Sequence, residues 1–307
     1  MEKVIVVIGP TSVGKTKMGV ALAKKFNGEV ISGDSMQIYK QMDIGTAKVT
    51  EEEKEGIIHH CVDILNPDET YSVHDFQQTV RKKITEITQR GHVPIIVGGT
   101  GLYIKAALYD YQFDEMENDH HTINEKYKDY TNEQLHDHLK SIDEESAKIL
   151  HFNNRRRVLR AIEIYETTGK RKSEMLELQE HICLYDAYFV GLTLPRDVLY
   201  ERINKRVDVM MENGLKEEME RLYSQGLTRN HQSMKAIGYK EWFDYYDHQI
   251  DLNDVLELIK KHSRQYAKRQ YTWFKNQFDV HWYDVNLENF EQTIEQVTDD
   301  IEKILKV

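Results

Sequence analysis

The segment GPTSVGKT (9–16) directly follows the apolar run VIVVI (4–8), and it constrains the fold more than any other part of the chain. It matches the phosphate-loop pattern G-x-x-x-x-G-K-[ST] at every fixed position. The short β-branched run predicts a buried parallel strand, and the residues after the loop predict a helix that ends near Asn27 and is closed by Gly28. A strand, a glycine-bearing turn and a helix follow one another in the order that a phosphate loop requires.

This loop predicts a phosphate site. Its backbone N–H groups point into one concavity, to which the following helix adds its positive end. Lys15 brings a full charge to the outer phosphates, and Thr16 offers a hydroxyl to Mg²⁺. The pattern does not name the ligand, because a diphosphate with magnesium satisfies it as well as ATP does. The candidate phosphate-binding residues are Gly9, Pro10, Thr11, Ser12, Val13, Gly14, Lys15 and Thr16.

Further apolar runs predict an α/β fold. Residues 29–35, 57–65, 93–100 and 188–194 are typical of buried strands, and Ser72 caps a predicted helix between two of them. Because strands alternate with helices, we predict a P-loop NTPase-like parallel sheet that is covered by helices on both faces.

A change of character after about Tyr111 predicts a second domain. Residues 114–185 are polar and helical in pattern and contain no buried strand pattern. We therefore divide the chain into an α/β catalytic core, 1–113 and 186–307, and an inserted all-helical domain, 114–185. After the strand at 188–194 the pattern predicts helices at 196–213, 214–225 and 253–276, a short strand at 280–284 and a closing helix.

The charges are unevenly distributed. A formal net charge of −11 argues weakly against nucleic-acid binding. Basic residues are nevertheless clustered in RRRVLR (155–160), GKRK (169–172) and KKHSRQYAKRQYTWFK (260–275), whereas acids concentrate in 51–55, in 114–119 and toward the C-terminus.

The apolar runs and the cysteines indicate the cellular compartment in which the protein works. No apolar run approaches the roughly 18 residues of a membrane span, and a strand begins so close to Met1 that we expect no signal or transit peptide. Cys61 and Cys183 are far apart and have no C-x-x-C spacing, which is typical of a reducing cytoplasm. We expect a cytoplasmic protein without membrane segments.

Asp34 ends the strand EVISGD, and three roles are open for it. It could hold magnesium, act as a general base beside the phosphate site, or cap the next turn. Ligands bind at the carboxyl ends of strands in open α/β sheets, which disfavours a purely capping role. An ATPase usually has an acid at the end of another apolar strand, but VPIIV (93–97) runs into Gly98, Gly99 and Thr100.

The arginines of 155–160 have two interpretations. Arg156 and Arg160, and nearly Arg157, lie on one side of a predicted helix. Such a side is either solvated and paired with acids such as Glu163 and Glu166, or it neutralises phosphates of a nucleic-acid backbone, and we favour the second.

His59 and His60 are neighbours, so in a strand they point to opposite faces, which is poor geometry for a shared metal. We predict structural hydrogen bonds for both, and a solvated helix face for the acidic run 51–55.

Seven segments occur in an order that resembles the bacterial tRNA dimethylallyltransferase (tRNA isopentenyltransferase) family. They are GPTSVGKT (9–16), ISGDSMQIYKQMDIGTAK (31–48), HHCVDI (59–64), YSVHDF (71–76), VGGTGLYIKAAL (97–108), RRRVLRAIEIYETTGK (155–170) and YAKRQYTWF (266–274). The resemblance covers most of the chain, from about residue 5 to about residue 275. The D-S-M-Q-I-Y and G-G-T-G-L-Y segments are more specific than the phosphate loop, which many families share.

The resemblance implies a reaction. The N6 amine of the adenosine 3′ to a tRNA anticodon attacks the first carbon of dimethylallyl diphosphate, and diphosphate leaves. In this family the phosphate loop holds the diphosphate of the donor rather than ATP, with Mg²⁺ on the residue that is Thr16 here.

The resemblance also implies residue roles. Asp34 is the general base, and Asp34, Ser35, Met36, Gln37 and Thr100 meet the tRNA, with Thr100 at the substrate adenosine. Arg156, Arg157, Val158, Leu159 and Arg160 lie against the anticodon stem-loop, which the helical insertion grips. The target base must leave its stack before it reacts.

Further basic residues are candidates for a lid that closes over the diphosphate. They are Arg202, Arg206, Arg264, Lys268 and Arg269. Family members commonly have a tRNA-contacting arginine near residue 122, but DEMENDHHTINEKY (114–127) offers only His120, His121 and Lys126. The C-terminal zinc finger of the eukaryotic type is not found in this sequence.

Two rival functions share this fold, because fold does not fix function. In a nucleotide or small-molecule kinase, Asp34 would orient a hydroxyl or magnesium and the arginines would close over ATP. In a nucleotide-dependent RNA-binding switch, the same loop would bind a nucleotide without any transfer chemistry.

Overall fold

The computed structural model describes residues 1–111, 120–177 and 182–305. Its strands are β1 (Lys3–Ile8), β2 (Gly28–Ser32), β3 (His59–His60), β4 (Val93–Val97), β5 (Asp186–Thr193) and β6 (His281–Asp284). They form one sheet in the order β3-β2-β4-β1-β5-β6, in which every neighbouring pair is parallel. The predicted α/β fold with a parallel sheet is confirmed.

The helices are α1 (Lys15–Lys25), α2 (Glu51–Lys54), α3 (Val73–Gln89), α4 (Gly101–Leu108), α5 (His120–Lys126), α6 (Asn132–Ile142), α7 (Glu144–Ile149), α8 (Arg155–Thr168), α9 (Lys172–Glu177), α10 (Arg196–Glu212), α11 (Leu215–Ser224), α12 (Trp242–Tyr246), α13 (Leu252–Gln277) and α14 (Phe290–Leu305), with a 3-10 turn at Ser233–Lys235. Five of them, α2, α3, α6, α7 and α13, start at a side chain that caps the helix. At α3, for example, the Ser72 hydroxyl accepts from the Asp75 N–H at 3.1 Å, while the Asp75 carboxylate accepts from the Ser72 N–H at 2.8 Å.

The core lies on both faces of the sheet. Val4, Val6 and Ile8 of β1 belong to the apolar cluster on one face, whereas Ile5 and Val7 belong to the cluster on the other face. Because successive side chains of a strand point to opposite faces, a strand that is covered on both sides must be apolar at every position. The continuous run 4–8 is therefore explained by its place in the middle of the sheet.

Two local predictions are right only in part. The run 57–65 forms a strand only at His59–His60, because Cys61 and Asp63 adopt left-handed backbone conformations that end the extended chain. Gly28 does not close α1: Asn27 takes the left-handed conformation, with φ of 49°, and Gly28 already belongs to β2. Asparagine tolerates that region better than most residues do.

The described chain divides into two compact units. Unit 1 comprises Met1–Tyr109 and Cys183–Val307, and unit 2 comprises Asp110–Ile182. Unit 2 contains α5 to α9 and has its own apolar core, which includes Leu135, Leu139 and Ile162. The boundaries drawn from the sequence, 114 and 185, lie a few residues further along the chain.

Among the described residues, none of the helices has both the length and the apolar character that crossing a membrane requires.

Candidate active site

The phosphate loop follows the carboxyl end of β1, the strand that lies between β4 and β5 in the sheet. β1 ends at Ile8 and α1 begins at Lys15, with Gly14 as its N-cap residue at φ of 105°. A Cβ on Gly14 would lie 2.7 Å from the ring of Phe290, so both the backbone conformation and the space require glycine. The loop and the start of α1 therefore have the strand–turn–helix geometry that the sequence predicts.

Lys15 lies against its own loop. Its Nζ donates to the carbonyl oxygens of Gly9, at 3.1 Å, and Pro10, at 2.8 Å. Burial and the nearby charge of Arg206 lower the pKa of Lys15 to about 7, and the carboxylate of Asp34 opposes this shift. A lysine in such a place gains its full charge when an anion binds beside it.

Two arginines of α10 reach the loop from one helix face. Arg206 donates through Nη1 to the Thr11 hydroxyl at 2.9 Å, and Arg202 donates through Nε to the Ser12 carbonyl at 3.0 Å. Burial lowers the pKa of Arg206, which Asp34 partly offsets. Within the described chain the buried Ser12 hydroxyl has no hydrogen-bond partner. A buried polar atom without a partner is costly, so an oxygen-rich ligand fits this loop.

The other candidate lid residues differ in position. Arg269 lines the same cavity as Arg206, whereas Arg264 donates to the side chain of Asn204 and Lys268 is exposed. The structure thus brings Arg202, Arg206 and Arg269 to the loop region.

Asp34 lies at the end of β2 and faces the loop. Its Oδ1 accepts from the Met36 N–H at 2.8 Å, so it caps the following turn, and its side chain also lines the cavities beside the loop. Thr100 lies next to it: the Thr100 hydroxyl accepts from the Ser35 N–H at 3.1 Å. The two strand ends that carry Asp34 and Thr100 are therefore joined by a direct hydrogen bond.

Gln37 stabilises its own loop. Its Oε1 accepts from the Ser32 hydroxyl at 3.0 Å, and its Nε2 donates to the carbonyls of Thr46, at 3.4 Å, and Ala47, at 3.3 Å. Met36 instead lines a cavity and packs against the core. Of the four D-S-M-Q residues that are predicted to meet the tRNA, Gln37 thus has both polar atoms of its side chain hydrogen-bonded within the protein.

Two adjoining cavities open beside the loop. The first, of 340 Å³, has an apolar wall that includes Ile203, Val207, Met210, Ile237 and Ile259. The second, of 740 Å³, is lined by cations that include Lys15, Lys17, Arg202, Lys205 and Arg206. Thr11, Ser12 and Asp34 line both cavities. Volumes of this size hold small ligands, and the pair offers an anion site next to an apolar slot.

One buried carboxylate holds the wall of the first cavity. Glu218 of α11 is 2% exposed and accepts from the backbone N–H groups of Asp43 and Ile44, both at 2.9 Å, and of Gly45, at 3.1 Å. It also accepts from the Tyr239 hydroxyl at 2.6 Å. Neither Glu218 nor the loop 235–240 is among the residues predicted from sequence, where the glycines of DIGT (43–46) and AIGY (236–239) are the signal for these close approaches.

The residues present fit a magnesium ion that is shared with a ligand. Groups of three or more His, Cys, Asp or Glu side chains with metal-binding geometry are not found in the described residues. Mg²⁺, however, usually takes one or two protein oxygens and completes its shell with phosphate oxygens and water. Thr16 and Asp34 line the same cavity as Lys15 and can supply such oxygens.

In unit 2, α8 presents some of its arginines and buries other residues. Arg156 and Arg157 are exposed, whereas the side chains of Val158 and Leu159 lie in the core of the unit. Arg160 pairs with Glu163 at 2.7 Å. On a helix with an apolar face these two positions point inward, so a contact of this segment with tRNA, which stays a prediction, would not use the side chains of Val158 and Leu159.

Charge accumulates around these arginines. Burial, together with the charges of Arg157 and Arg160, lowers the pKa of Lys172, and Asp143 opposes the shift. Three cations thus lie close enough to affect one another. The tRNA contact that the family commonly has near residue 122 cannot be located, because residues 114–119 and the side chains of His120 and His121 lie outside the described residues.

The two histidines act structurally. His59 Nδ1 lies 3.0 Å from the Ile57 carbonyl, and His60 Nε2 lies 2.6 Å from the carboxylate of Glu29, which Arg90 also binds. The acidic segment α2 buries none of its residues, as predicted for a solvated face.

Comparison with known proteins gave consistent results. Residues 37–277 match the model of the IPP transferase family. A tRNA dimethylallyltransferase of Bacillus cereus (strain AH187) is 55% identical over 287 residues, which cover 92% of this chain and 90% of the relative. A crystal structure of a tRNA delta(2)-isopentenylpyrophosphate transferase from Staphylococcus epidermidis is 47% identical, with a TM-score of 0.74 and 99% of both chains covered. A eukaryotic dimethylallyltransferase acting on tRNA is 32% identical, with a TM-score of 0.85, and covers 99% of this chain and 79% of that one.

Proposed function

The chain belongs to the IPP transferase family, and from that premise we propose that it transfers the dimethylallyl group of dimethylallyl diphosphate to tRNA. The acceptor is N6 of the adenosine 3′ to the anticodon. The observation that carries the proposal is the pair of adjoining cavities, since a cationic phosphate loop beside an apolar slot suits a short prenyl diphosphate. The free thiols of Cys61 and Cys183 fit an enzyme of the reducing cytoplasm.

The leaving group is stabilised by the P-loop NTPase-like end of the sheet. As the bond between N6 and the first prenyl carbon forms, the bond from that carbon to the diphosphate oxygen breaks, and its electron pair leaves with diphosphate. Lys15, Arg206 and the loop amides neutralise the charge that develops on diphosphate. A magnesium ion held by Thr16 would supply further positive charge to the same oxygens.

Asp34 takes the proton that N6 loses. The amine of adenine is a weak nucleophile because its lone pair is delocalised, so a carboxylate that holds the N–H helps as the new bond forms. Thr100 positions the Ser35 backbone next to this carboxylate. Asp34 can cap its turn and act as base together, because Oδ1 alone accepts from Met36.

The tRNA is bound partly by unit 2, the inserted helical domain. Arg156 and Arg157 are exposed on α8, and Arg160 and Lys172 add charge nearby. Cations in such a group neutralise backbone phosphates. The target adenosine must also leave its stack in the loop, at a cost of a few kcal/mol that is lowest for a single-stranded base.

The donor test uses heat stability. Dimethylallyl diphosphate with Mg²⁺ should raise the melting temperature more than an equal concentration of ATP with Mg²⁺, because at equal concentration the ligand that binds the folded state more tightly stabilises it more. ATP can place its phosphates on the loop, but its ribose and adenine do not suit an apolar slot. Differential scanning fluorimetry measures both shifts.

Labelled substrates decide between this function and its rivals. With unmodified tRNA, label from the prenyl donor should enter RNA, and added ATP should not accelerate the transfer. Labelling of RNA or of a small acceptor from ATP, without prenyl transfer, would establish a kinase instead. Nucleotide-dependent tRNA binding without either transfer would establish a binding switch.

Charge reversal on α8 should weaken tRNA binding. The double variant Arg156→Glu, Arg157→Glu changes only exposed side chains. We expect an increase of about tenfold or more in KM for tRNA, and a salt slope of log KM that is lower by about one to two units, because each phosphate contact contributes about 0.7 to 0.9. KM for the donor should not change.

The matched control is the double variant Lys140→Glu, Lys148→Glu, which makes the same change of net charge at exposed positions of α6 and α7. It should keep a tRNA KM close to that of the wild type. If both double variants behave alike, the effect comes from net charge and the role of α8 is wrong.

A further inference from the structure

A single buried amide joins the two loops that the reaction needs. Gln270 of α13 is 5% exposed. Its Oε1 accepts from the Thr11 N–H at 2.9 Å, and its Nε2 donates to the Gly99 carbonyl at 3.0 Å. One side chain therefore bonds to the phosphate loop at one end and to the turn after β4 at the other.

The contact is closely fitted. A Cβ on Gly99 would collide with Nε2 of Gln270, so the turn approaches the amide as closely as glycine allows. One helical turn earlier, the Tyr266 hydroxyl donates to the same Gly99 carbonyl at 3.2 Å. Lys15 is near as well, because its Nζ would lie 4.0 Å from that Cβ.

From Gly99 the contacts continue to the proposed base. Gly99 precedes Thr100, whose hydroxyl accepts from the N–H of Ser35, and Ser35 follows Asp34. A short series of bonds thus runs from the loop that holds the leaving group, through Gln270, to the turn that carries Asp34.

We propose that Gln270 is a positioning residue that fixes the phosphate loop relative to Asp34, and so holds the leaving group and the general base at the distance that transfer requires. This inference rests on the proposed function. At neutral pH the amide of glutamine offers an acceptor and a donor at this length without carrying a charge, whereas a glutamate must first be protonated to do so. Misplacing a reacting group by about 1 Å can cost about a hundredfold in rate.

The first test replaces the amide by an apolar chain of similar length. Gln270→Met breaks both hydrogen bonds and keeps most of the buried volume. We expect the single-turnover rate of transfer to fall by about tenfold to a hundredfold and KM for the prenyl donor to rise, while KM for tRNA stays within about twofold of the wild type. Gln277→Met on the same helix is the control, since Gln277 is exposed and bonds only to Lys105 in the described chain.

The second test replaces the amide by a carboxyl group, which becomes a hydrogen-bond donor only when it is protonated. In Gln270→Glu a protonated carboxyl can accept from Thr11 and donate to Gly99, whereas the ionised form can only accept and repels the Gly99 carbonyl. Burial raises the pKa of such a carboxyl. The ratio of the variant's rate to the wild-type rate should therefore rise by about tenfold as the pH falls from about 8 to about 6. The ratio removes pH effects common to both proteins.

The outcomes separate this inference from the proposed function. Absence of prenyl transfer in the wild type would contradict the function itself. If the wild type is active, a Gln270→Met enzyme with normal rate and donor KM overturns the positioning role. The positioning role is also overturned if the rate of Gln270→Met falls only as much as the fraction of folded protein falls. If the methionine variant does not fold, a ratio of Gln270→Glu rate to wild-type rate that does not change with pH overturns it.

Discussion

Replacement of Lys15 by alanine should reduce the rate of prenyl transfer by a few hundredfold or more. The ammonium lies in the loop against the Gly9 and Pro10 carbonyls, and in the proposed function it neutralises the phosphates of the donor. Electrostatic groups of this kind contribute roughly 3–4 kcal/mol to the transition state, because the charge on diphosphate grows as it leaves. Single-turnover kinetics with saturating tRNA measures the effect, and tRNA affinity should hardly change.

The pH dependence gives a second measure of the same residue. Because burial and Arg206 lower the pKa of Lys15 to about 7, against the opposing effect of Asp34, the free enzyme loses this positive charge as the pH rises through 7. Since kcat/KM reports ionisations of the free enzyme, its value for the donor should fall above about pH 7 in the wild type. Lys15→Ala should lack that decline.

Lys25→Ala is the control, since Lys25 is exposed on the same helix and pairs with Glu302 at 3.0 Å. Its rate should match the wild type. Near-normal turnover in Lys15→Ala would contradict the proposal that the phosphate loop stabilises the leaving diphosphate.

Asp34→Asn should lower the rate by about a hundredfold to ten-thousandfold, as is typical when a general base is removed. Asparagine can still accept from the Met36 N–H through its Oδ1, so the turn is kept and only the charge is lost. Donor affinity and melting temperature should stay close to the wild type. Asp68→Asn, a change of the same kind at an exposed position, should be silent.

Magnesium titration distinguishes the two chemical roles of Asp34. If its carboxylate only holds the ion, a high Mg²⁺ concentration restores the rate of Asp34→Asn by mass action. A base cannot be restored in this way. Recovery at high Mg²⁺ would therefore reject proton transfer to Asp34 and favour metal binding.

Local patterns predicted the parts of the fold that depend on local sequence. The run 4–8 and the loop 9–16 could be read directly, because a strand covered on both faces must be apolar and a phosphate loop needs glycine at fixed places. The capped start of α3 was equally visible. The strand predicted over 57–65 is too long. Its apolar residues resemble a strand, but the left-handed backbone at residues 61 and 63 turns the chain after His60.

Parts of the site that depend on distant contacts could not be predicted. Glu218 lies in the sequence LKEEMERLYS beside other acids, where it looks like part of a solvated face. Its burial is set by the backbone of residues 43–45 and by Tyr239, for which no local pattern exists. Gln270 is hidden for the same reason, because its partners Thr11 and Gly99 are far away in the chain.

The place of β1 in the sheet has a consequence for synthesis on the ribosome. β1 pairs with β4 on one side and β5 on the other, with Val6 opposite Ile96 and Phe189, respectively. Unit 2 is translated between these two partners. While it is being made, the β5 side of β1 is an open apolar edge, which is the kind of surface that pairs with other chains. The nascent polypeptide therefore passes through a long interval in which its central strand needs protection, and this interval ends only when residues 186–193 have left the exit tunnel.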